Sequence, residues 1–291
     1  MIPREYLTRI RQIELRTNKL AEEMLAGSYH SMFKGRGIDF EEVREYQAGD
    51  EVRAIDWNVT ARTGIPHVRR YREERELSLV LVLDISASGQ FGSGPQSKRE
   101  LAAEIASVLA FSALKNNDRI ALVLCTDEVE LFIPPGKGRM HVFRLIREIL
   151  FFEPNSKKTA LKAGLDYVNT VFTRKGVVFV ISDFLDDSYE SSLKMCGIRH
   201  DTIAIVTYDA SERVLPRVGW VQLEDSESGQ IVEINTNDPK VRKRFTRSIE
   251  EKLETQKRRL QRAQTDYLEI EAGTHYHVTL RSFFDRRLAK R

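Results

Sequence analysis

A chain of 291 residues, 41% hydrophobic and 31% charged, has the make-up of a folded globular protein with material for one large domain or two small ones. Its 46 Lys and Arg against 43 Asp and Glu leave a net charge of +3, too small for composition alone to signal a nucleic-acid protein. Two cysteines, Cys125 and Cys196, exclude a disulfide scaffold, suit a reducing compartment and give no basis for a redox or zinc role.

Arg4, Glu5, Arg9, Arg11, Glu14, Arg16 and Lys19 interrupt any apolar core that a secretory signal would need. The longest strongly apolar stretches, 79–83 and 177–181, fall far short of the roughly 20 residues of a membrane-spanning helix, so a cytoplasmic protein is expected. Tyr6, Leu7, Ile10, Ile13, Leu20, Met24 and Leu25 recur at helical spacing and predict an amphipathic helix ending near Gly27. Residues 28–63 are weakly periodic, with turns at Gly35, Gly37 and Gly49 and a short helix expected over 51–61.

From residue 77 the pattern sharpens. Apolar runs at 77–83, 120–125, 129–133, 177–181 and 203–206 predict strands. Between them, Leu101, Ile105, Val108, Leu109 and Ala113, then 142–150 and 161–172, predict helices. Short runs apolar on both faces, separated by amphipathic helices, call for a central parallel sheet covered by helices. After Asp209, 218–223 and 231–234 read as a hairpin. A long helix follows, capped by Asp238 with Pro239 at its first position and carrying an apolar stripe of Val241, Phe245, Ile249, Leu253 and Leu260.

At the end of the first sheet strand stands Asp84-Ile85-Ser86-Ala87-Ser88, one carboxylate and two hydroxyls where open α/β sheets place their ligands. Residues spaced by two in a tight loop can point the same way, so Asp84, Ser86 and Ser88 can converge on a small hard cation such as Mg²⁺. The competing reading is a helix cap. Thr159, opening the helix at 159–165, and Asp183, ending the strand at 180–183, fall where neighbouring tips of the same sheet should lie.

These residues together resemble the von Willebrand factor A fold with its metal-ion-dependent adhesion site, Asp-x-Ser-x-Ser, Thr, Asp. The resemblance implies that Ser86, Ser88 and Thr159 ligate Mg²⁺, with Mn²⁺ or Ca²⁺ as substitutes. It also implies that Asp84 and Asp183 hold waters around the ion, and that one position stays open for an acidic side chain of a partner protein.

A second resemblance covers most of the chain. Residues 35–46, then Gly49-Asp50, Ile55-Asp56-Trp57-Asn58, Thr60-Ala61-Arg62 and 70–76, look like the hallmark of the bacterial family catalogued as domain of unknown function 58, DUF58. That likeness implies a partnership with a MoxR-type AAA+ ATPase in chaperone-like assembly or maturation of a client protein. Two features depart from the family's usual pattern: Ser88-Gly89-Gln90-Phe91-Gly92 lacks a Met after the second serine, and Lys157 and Lys158 precede the threonine. The two lysines disfavour Mg²⁺ slightly and favour an anionic partner.

Elsewhere, simpler readings prevail. Glu41, Glu42, Glu45, Asp50 and Asp56 read as solvated or salt-bridged surface, and Tyr46 and Trp57 as anchors of the N-terminal segment. Residues 240–262 hold ten basic and three acidic residues; this stripe reads as a solvated helix face, with RNA binding in the manner of the Ro autoantigen's A-type domain as the alternative. His275 and His277, expected to share a strand face, lack a third zinc ligand. No Gly-x-Ser-x-Gly elbow or phosphate loop occurs, and Ser86 stands where a phosphohydrolase acting through Asp84 would carry a second acid, so an enzyme is not expected.

The expected architecture is therefore α/β. A segment 1–76, helical then irregular, packs on a doubly wound, mostly parallel von Willebrand A-like domain at 77–210, followed by a C-terminal hairpin and basic helix at 211–291. The expected activity is Mg²⁺-dependent protein binding.

Overall fold

The computed structural model describes residues 17, 20, 37–74, 78–224 and 229–290. The helix expected up to Gly27 lies, apart from Thr17 and Leu20, outside the described residues. By contacts the chain divides into two units, one within 33–77 and one containing 78–291.

In the smaller unit, β1 (Gly37–Glu45) pairs antiparallel with β2 (His67–Glu74), with a register shift between Phe40 and Glu42. The helix expected over 51–61 resolves into a 3-10 turn at Val52–Ala54 and α1 (Trp57–Thr63). Asp56 sets that start, its carboxylate accepting from the Asn58 and Val59 amides at 3.0 and 3.3 Å. Gly64, at φ +74°, supplies the left-handed residue that ends the helix. Trp57 is 67% exposed, which corrects its expected role as an anchor: it is the first residue of α1 and lies on its solvent side. Arg44 grips Asp50 through two bonds of 2.8 and 2.7 Å, and Arg69 holds Asp56 at 2.7 Å.

The Arg69 bond, aided by the two amides, holds the Asp56 carboxyl below its ordinary 3.8. A depressed carboxyl contributes stability that is present above the unfolded value and lost as pH falls through the folded one. Amide exchange in residues 57–63, taken relative to the intrinsic rate at each pH, is therefore expected to accelerate below pH 3.8 in the wild type. In Asp56→Asn it should already be faster at neutral pH and show no such acid step; identical profiles would remove the carboxylate from the cap.

The larger unit is built on a six-stranded sheet of order β10-β7-β6-β3-β4-β5. Its strands are β3 (Ser78–Asp84), β4 (Arg119–Cys125), β5 (Val129–Gly136), β6 (Val177–Ser182), β7 (Asp201–Tyr208) and β10 (Asp266–Glu271). All neighbours are parallel except β4 and β5. The near-continuous Val, Ile and Leu runs of β3, β4 and β6 are buried on both faces, as a helix-covered parallel sheet demands.

One face, with Val80, Val82, Val178 and Val180, packs against α4 (Leu161–Val171), α5 (Glu190–Arg199) and the end of α7 (Pro239–Arg262). The helix α4 comes so close that a Cβ on Gly164 would meet Cys125 Sγ at 2.7 Å. Phe179 reaches Phe284 of α8 (Tyr276–Ala289) on the other face, and α2 (Lys98–Lys115), packed on β3, β4 and β7, has α3 (Arg139–Phe151) as its neighbour. The short α6 (Ala210–Arg213) follows β7. β8 (Trp220–Glu224) and β9 (Ile231–Asn235) form the expected hairpin.

Two expectations need correction. His275 and His277 are not on a strand: His275 caps α8 and His277 lies in its first turn, because Tyr276, Leu280, Phe283 and Phe284 recur at helical spacing and are buried. The stripe of α7 is only partly covered; Leu260 is buried with Gln256, while Val241, Phe245, Ile249 and Leu253 are half-buried. Among the described residues no helix is long and apolar enough to cross a membrane. Both thiols are buried and unoxidised, and burial raises each thiol's pKa, that of Cys196 to about 11.

Candidate functional site

The chain runs from β3 to β4 and β5 on one side, then returns to place β6 on the other, so the carboxyl ends of β3 and β6 flank a topological switch point. Register aligns the tips: Leu83 pairs with Ile181, and Asp84 with Cys125. Asp84 is therefore delivered beside Ser182 and Asp183. Its Oδ1 accepts from the Ser86 amide at 2.9 Å and its Oδ2 from the Ser182 hydroxyl at 2.8 Å. Ser86 is fully buried, and its hydroxyl lies 3.1 Å from that of Ser88, in the 3-10 turn Ala87–Gln90.

Thr159 does not open a helix. The helix starts at Leu161, whose amide is capped by the Asp186 carboxylate at 2.9 Å, an acid supplied by the segment after β6. The loop carrying Thr159 is nevertheless brought to the same edge, since Ala87 N donates to Lys157 O at 3.2 Å and Ala160 N to Thr126 O at 3.1 Å. Lys157 and Lys158 have exposed side chains on that loop. Asp84, Ser88, Ser182, Asp183, Lys98 and Thr207 line a small cleft between the tips.

Three residues of this site escaped the sequence reading: Lys98, Ser182 and Glu212. Lys98 is 1% exposed, and its ammonium donates to Asp183 Oδ2 at 2.9 Å and to Glu212 Oε1 at 2.6 Å. Burial alone would lower its pKa; the two carboxylates outweigh that and hold it above the usual lysine value. The sequence did carry a signal, because Ser97-Lys98-Arg99-Glu100 is a capping box that puts two cations in a helical first turn, against the helix dipole. Asp183 is pinned a second time, its main-chain oxygen accepting from Gln256 Nε2 of α7 at 2.5 Å.

Electrostatically the cleft is undercompensated on one side. Burial, and then the charge of Asp183, push the Asp84 carboxyl up to about 6, since its bonds to Ser86 and Ser182 only partly offset them. Among the described residues no three His, Cys, Asp or Glu side chains are grouped to hold a metal, so any ion here must take hydroxyl ligands. The donor set present, Ser86 and Ser88 hydroxyls beside a carboxylate short of positive charge, is all hard oxygen and fits a small divalent cation of the Mg²⁺ type.

Several known proteins are similar to this chain. An uncharacterized protein of Mycobacterium bovis is 34% identical over 242 residues, covering 82% of this chain and 76% of that protein; one of Mycobacterium tuberculosis gives the same values. Among solved structures, the conserved hypothetical protein BatB from Bacteroides thetaiotaomicron has a TM-score of 0.46 at 13% identity, covering 74% of this chain and 100% of that one. A von Willebrand factor type A protein from Catenulispora acidiphila has a TM-score of 0.42 at 13% identity, over 78% of this chain and 44% of that one. The family described as "Protein of unknown function DUF58" matches residues 42–255, and with the mycobacterial relatives this establishes that the chain belongs to the DUF58 family.

Proposed function

We propose that the protein is a von Willebrand A-type interaction module that binds a partner through a Mg²⁺ ion at the tips of β3 and β6, and that it acts by binding rather than by turnover. The observation that carries this reading is the meeting of Asp84, Ser86 and Ser88 with Ser182 and Asp183 around an undercompensated, half-buried carboxylate. Ser86, Ser88 and Thr159 would hold the ion, with Asp84 and Asp183 orienting its waters. When bound, the ion supplies a Lewis-acidic position that an acidic side chain of a client can fill. Lys98 fixes the Asp183 side chain through an ion pair of 2.9 Å. Lys157 and Lys158 add local positive potential that favours such an anionic client. Family membership supports a cytoplasmic role as adaptor to a MoxR-type AAA+ ATPase.

The test is affinity capture of the tagged protein from lysate in Mg²⁺ or EDTA, beside calorimetric titration of Mg²⁺ into wild type, Asp84→Ala and Ser86→Ala. The expected result is an AAA+ ATPase retained only with Mg²⁺ and lost in both variants, along with measurable Mg²⁺ heat in the wild type alone. Retention indifferent to EDTA and to both substitutions would sink the metal-bridged reading.

A further inference from the structure

The cleft at the tips of β3 and β6 carries a cation of its own. Lys98, at the start of α2, lines it together with Asp84, Ser88, Asp183 and Thr207. The lysine side chain is 1% exposed, and its ammonium reaches Asp183 Oδ2 at 2.9 Å, while Asp183 Oδ1 accepts from the Leu185 amide at 3.3 Å. One of the two aspartates proposed to orient the waters of a divalent ion is thus held by a fixed monovalent charge. The other, Asp84, is bonded by an amide and a hydroxyl, which bring no charge.

The same ammonium has a second carboxylate. Glu212 Oε1 lies 2.6 Å from it, closer than Asp183, and Glu212 Oε2 accepts from the Asp209 amide at 2.9 Å in the capping box of α6. Asp209 in turn holds the loop that follows the serine motif, accepting from the Ser93 amide at 2.8 Å and from its hydroxyl at 2.6 Å. Glu212 is therefore a fixed acceptor that shares the lysine with Asp183. It lines the neighbouring groove, with 27% of its side chain exposed, so its own charge is screened more than that of the enclosed ammonium. A divalent ion and an ammonium served by one carboxylate repel each other, and inside a protein that repulsion is far stronger than in water.

Given a divalent ion at this site, as the proposed function requires, we propose that Lys98 is a resident counter-cation that holds down the site's affinity for Mg²⁺, and that Glu212 limits this effect by drawing the ammonium away from Asp183. Lys98 secures Asp183 and at the same time competes with the ion for it. The ion is then exchangeable with Mg²⁺ in solution and is not a permanent part of the fold. A purely structural lysine predicts the opposite sign: its loss would slacken Asp183 and weaken Mg²⁺ binding as it lowered stability.

The test is calorimetric titration of Mg²⁺ into the full chain as wild type, Lys98→Met, Glu212→Gln and the double variant, with denaturant midpoints measured in EDTA and in Mg²⁺. Lys98→Met is expected to bind Mg²⁺ at least about tenfold more tightly than wild type although it is less stable in EDTA, and to gain more in midpoint from Mg²⁺. Glu212→Gln leaves the whole ammonium on Asp183 and should bind Mg²⁺ about three- to tenfold more weakly. On the Lys98→Met background the same Glu212→Gln change should alter the affinity by less than about twofold, because the lysine through which it acts is gone. If wild type binds Mg²⁺ and Lys98→Met binds it equally or more weakly, the proposal is overturned and the metal site stands. Mg²⁺ heat in none of the chains overturns both. Should Lys98→Met not fold, Glu212→Gln decides, and unchanged or tighter binding overturns the proposal. Equal weakening by Glu212→Gln on both backgrounds overturns the part given to Glu212, which then acts on the ion through space.

Discussion

Lys98→Met should cost the protein about 3–5 kcal/mol, read as a lower denaturant midpoint at unchanged slope. The side chain is of similar length and fits the same channel, so the loss isolates the charge. Lys98 is the only positive side chain bonded to Asp183 among the described residues, and removing it leaves that carboxylate, 7% exposed, beside the half-buried carboxyl of Asp84. Glu212 is less critical because over a quarter of its side chain meets solvent. Glu212→Gln should therefore cost markedly less than Lys98→Met. On an Asp183→Asn background, Lys98→Met should also lose much of its effect, since the charge it compensates is gone. A loss under about 1 kcal/mol in the single variant would mean that water reaches this network freely.

Phe284→Ala is expected to be comparably severe, at about 3–5 kcal/mol. Phe284 is fully buried, meets Phe179 of the central strand β6 edge-on at a centroid distance of 6.2 Å, and meets Phe283 at 5.6 Å. Arg287, one turn on, pairs with Asp201 of β7 and with Asp266 of β10 at 2.8 Å, so α8 closes one side of the sheet by both packing and charge. The cavity left by the ring cannot collapse between a strand and a helix fixed at its far end. Val278→Ala on the exposed side of the same helix should stay within about 0.5 kcal/mol of wild type. If the two substitutions proved equal in chemical denaturation, α8 would not be part of the cooperative unit.

Much of this architecture is legible in the chain because a helix-covered parallel sheet writes itself as short apolar runs. Residues 79–83, 120–125 and 177–181 are apolar at every position since both faces are covered, and Arg119, Ser182 and Asp84 at their ends tell where water returns. β10 was not legible for the converse reason. It is an edge strand, and Asp266-Tyr267-Leu268-Glu269-Ile270-Glu271 alternates like many exposed segments, so only its pairing with β7 identifies it.

The candidate site divides the same way. Asp84, Ser86 and Ser88 are close in sequence and declare themselves through spacing. Ser182, Glu212 and Gln256 join through contacts between distant segments, which no local pattern encodes, and the capping box around Lys98 marks it as a cation against the helix dipole without naming its partners. Thr159 illustrates the middle case: its position at the sheet edge followed from chain order, but the helix behind it is capped by Asp186, which local capping rules do not reach.

The bond between Asp84 and Ser182 spans 98 residues, and this has a consequence during synthesis. At about 5–20 residues per second, a nascent chain carries β3 for about 5–20 s before the strand that completes its tip has been made. β7 in turn waits for its outer neighbour β10, and until then its Ile203, Ile205 and Val206 border an open edge able to pair with another chain. Ribosome-bound chains stopped before residue 266 should therefore aggregate or recruit chaperones, while those extended past α8 should not.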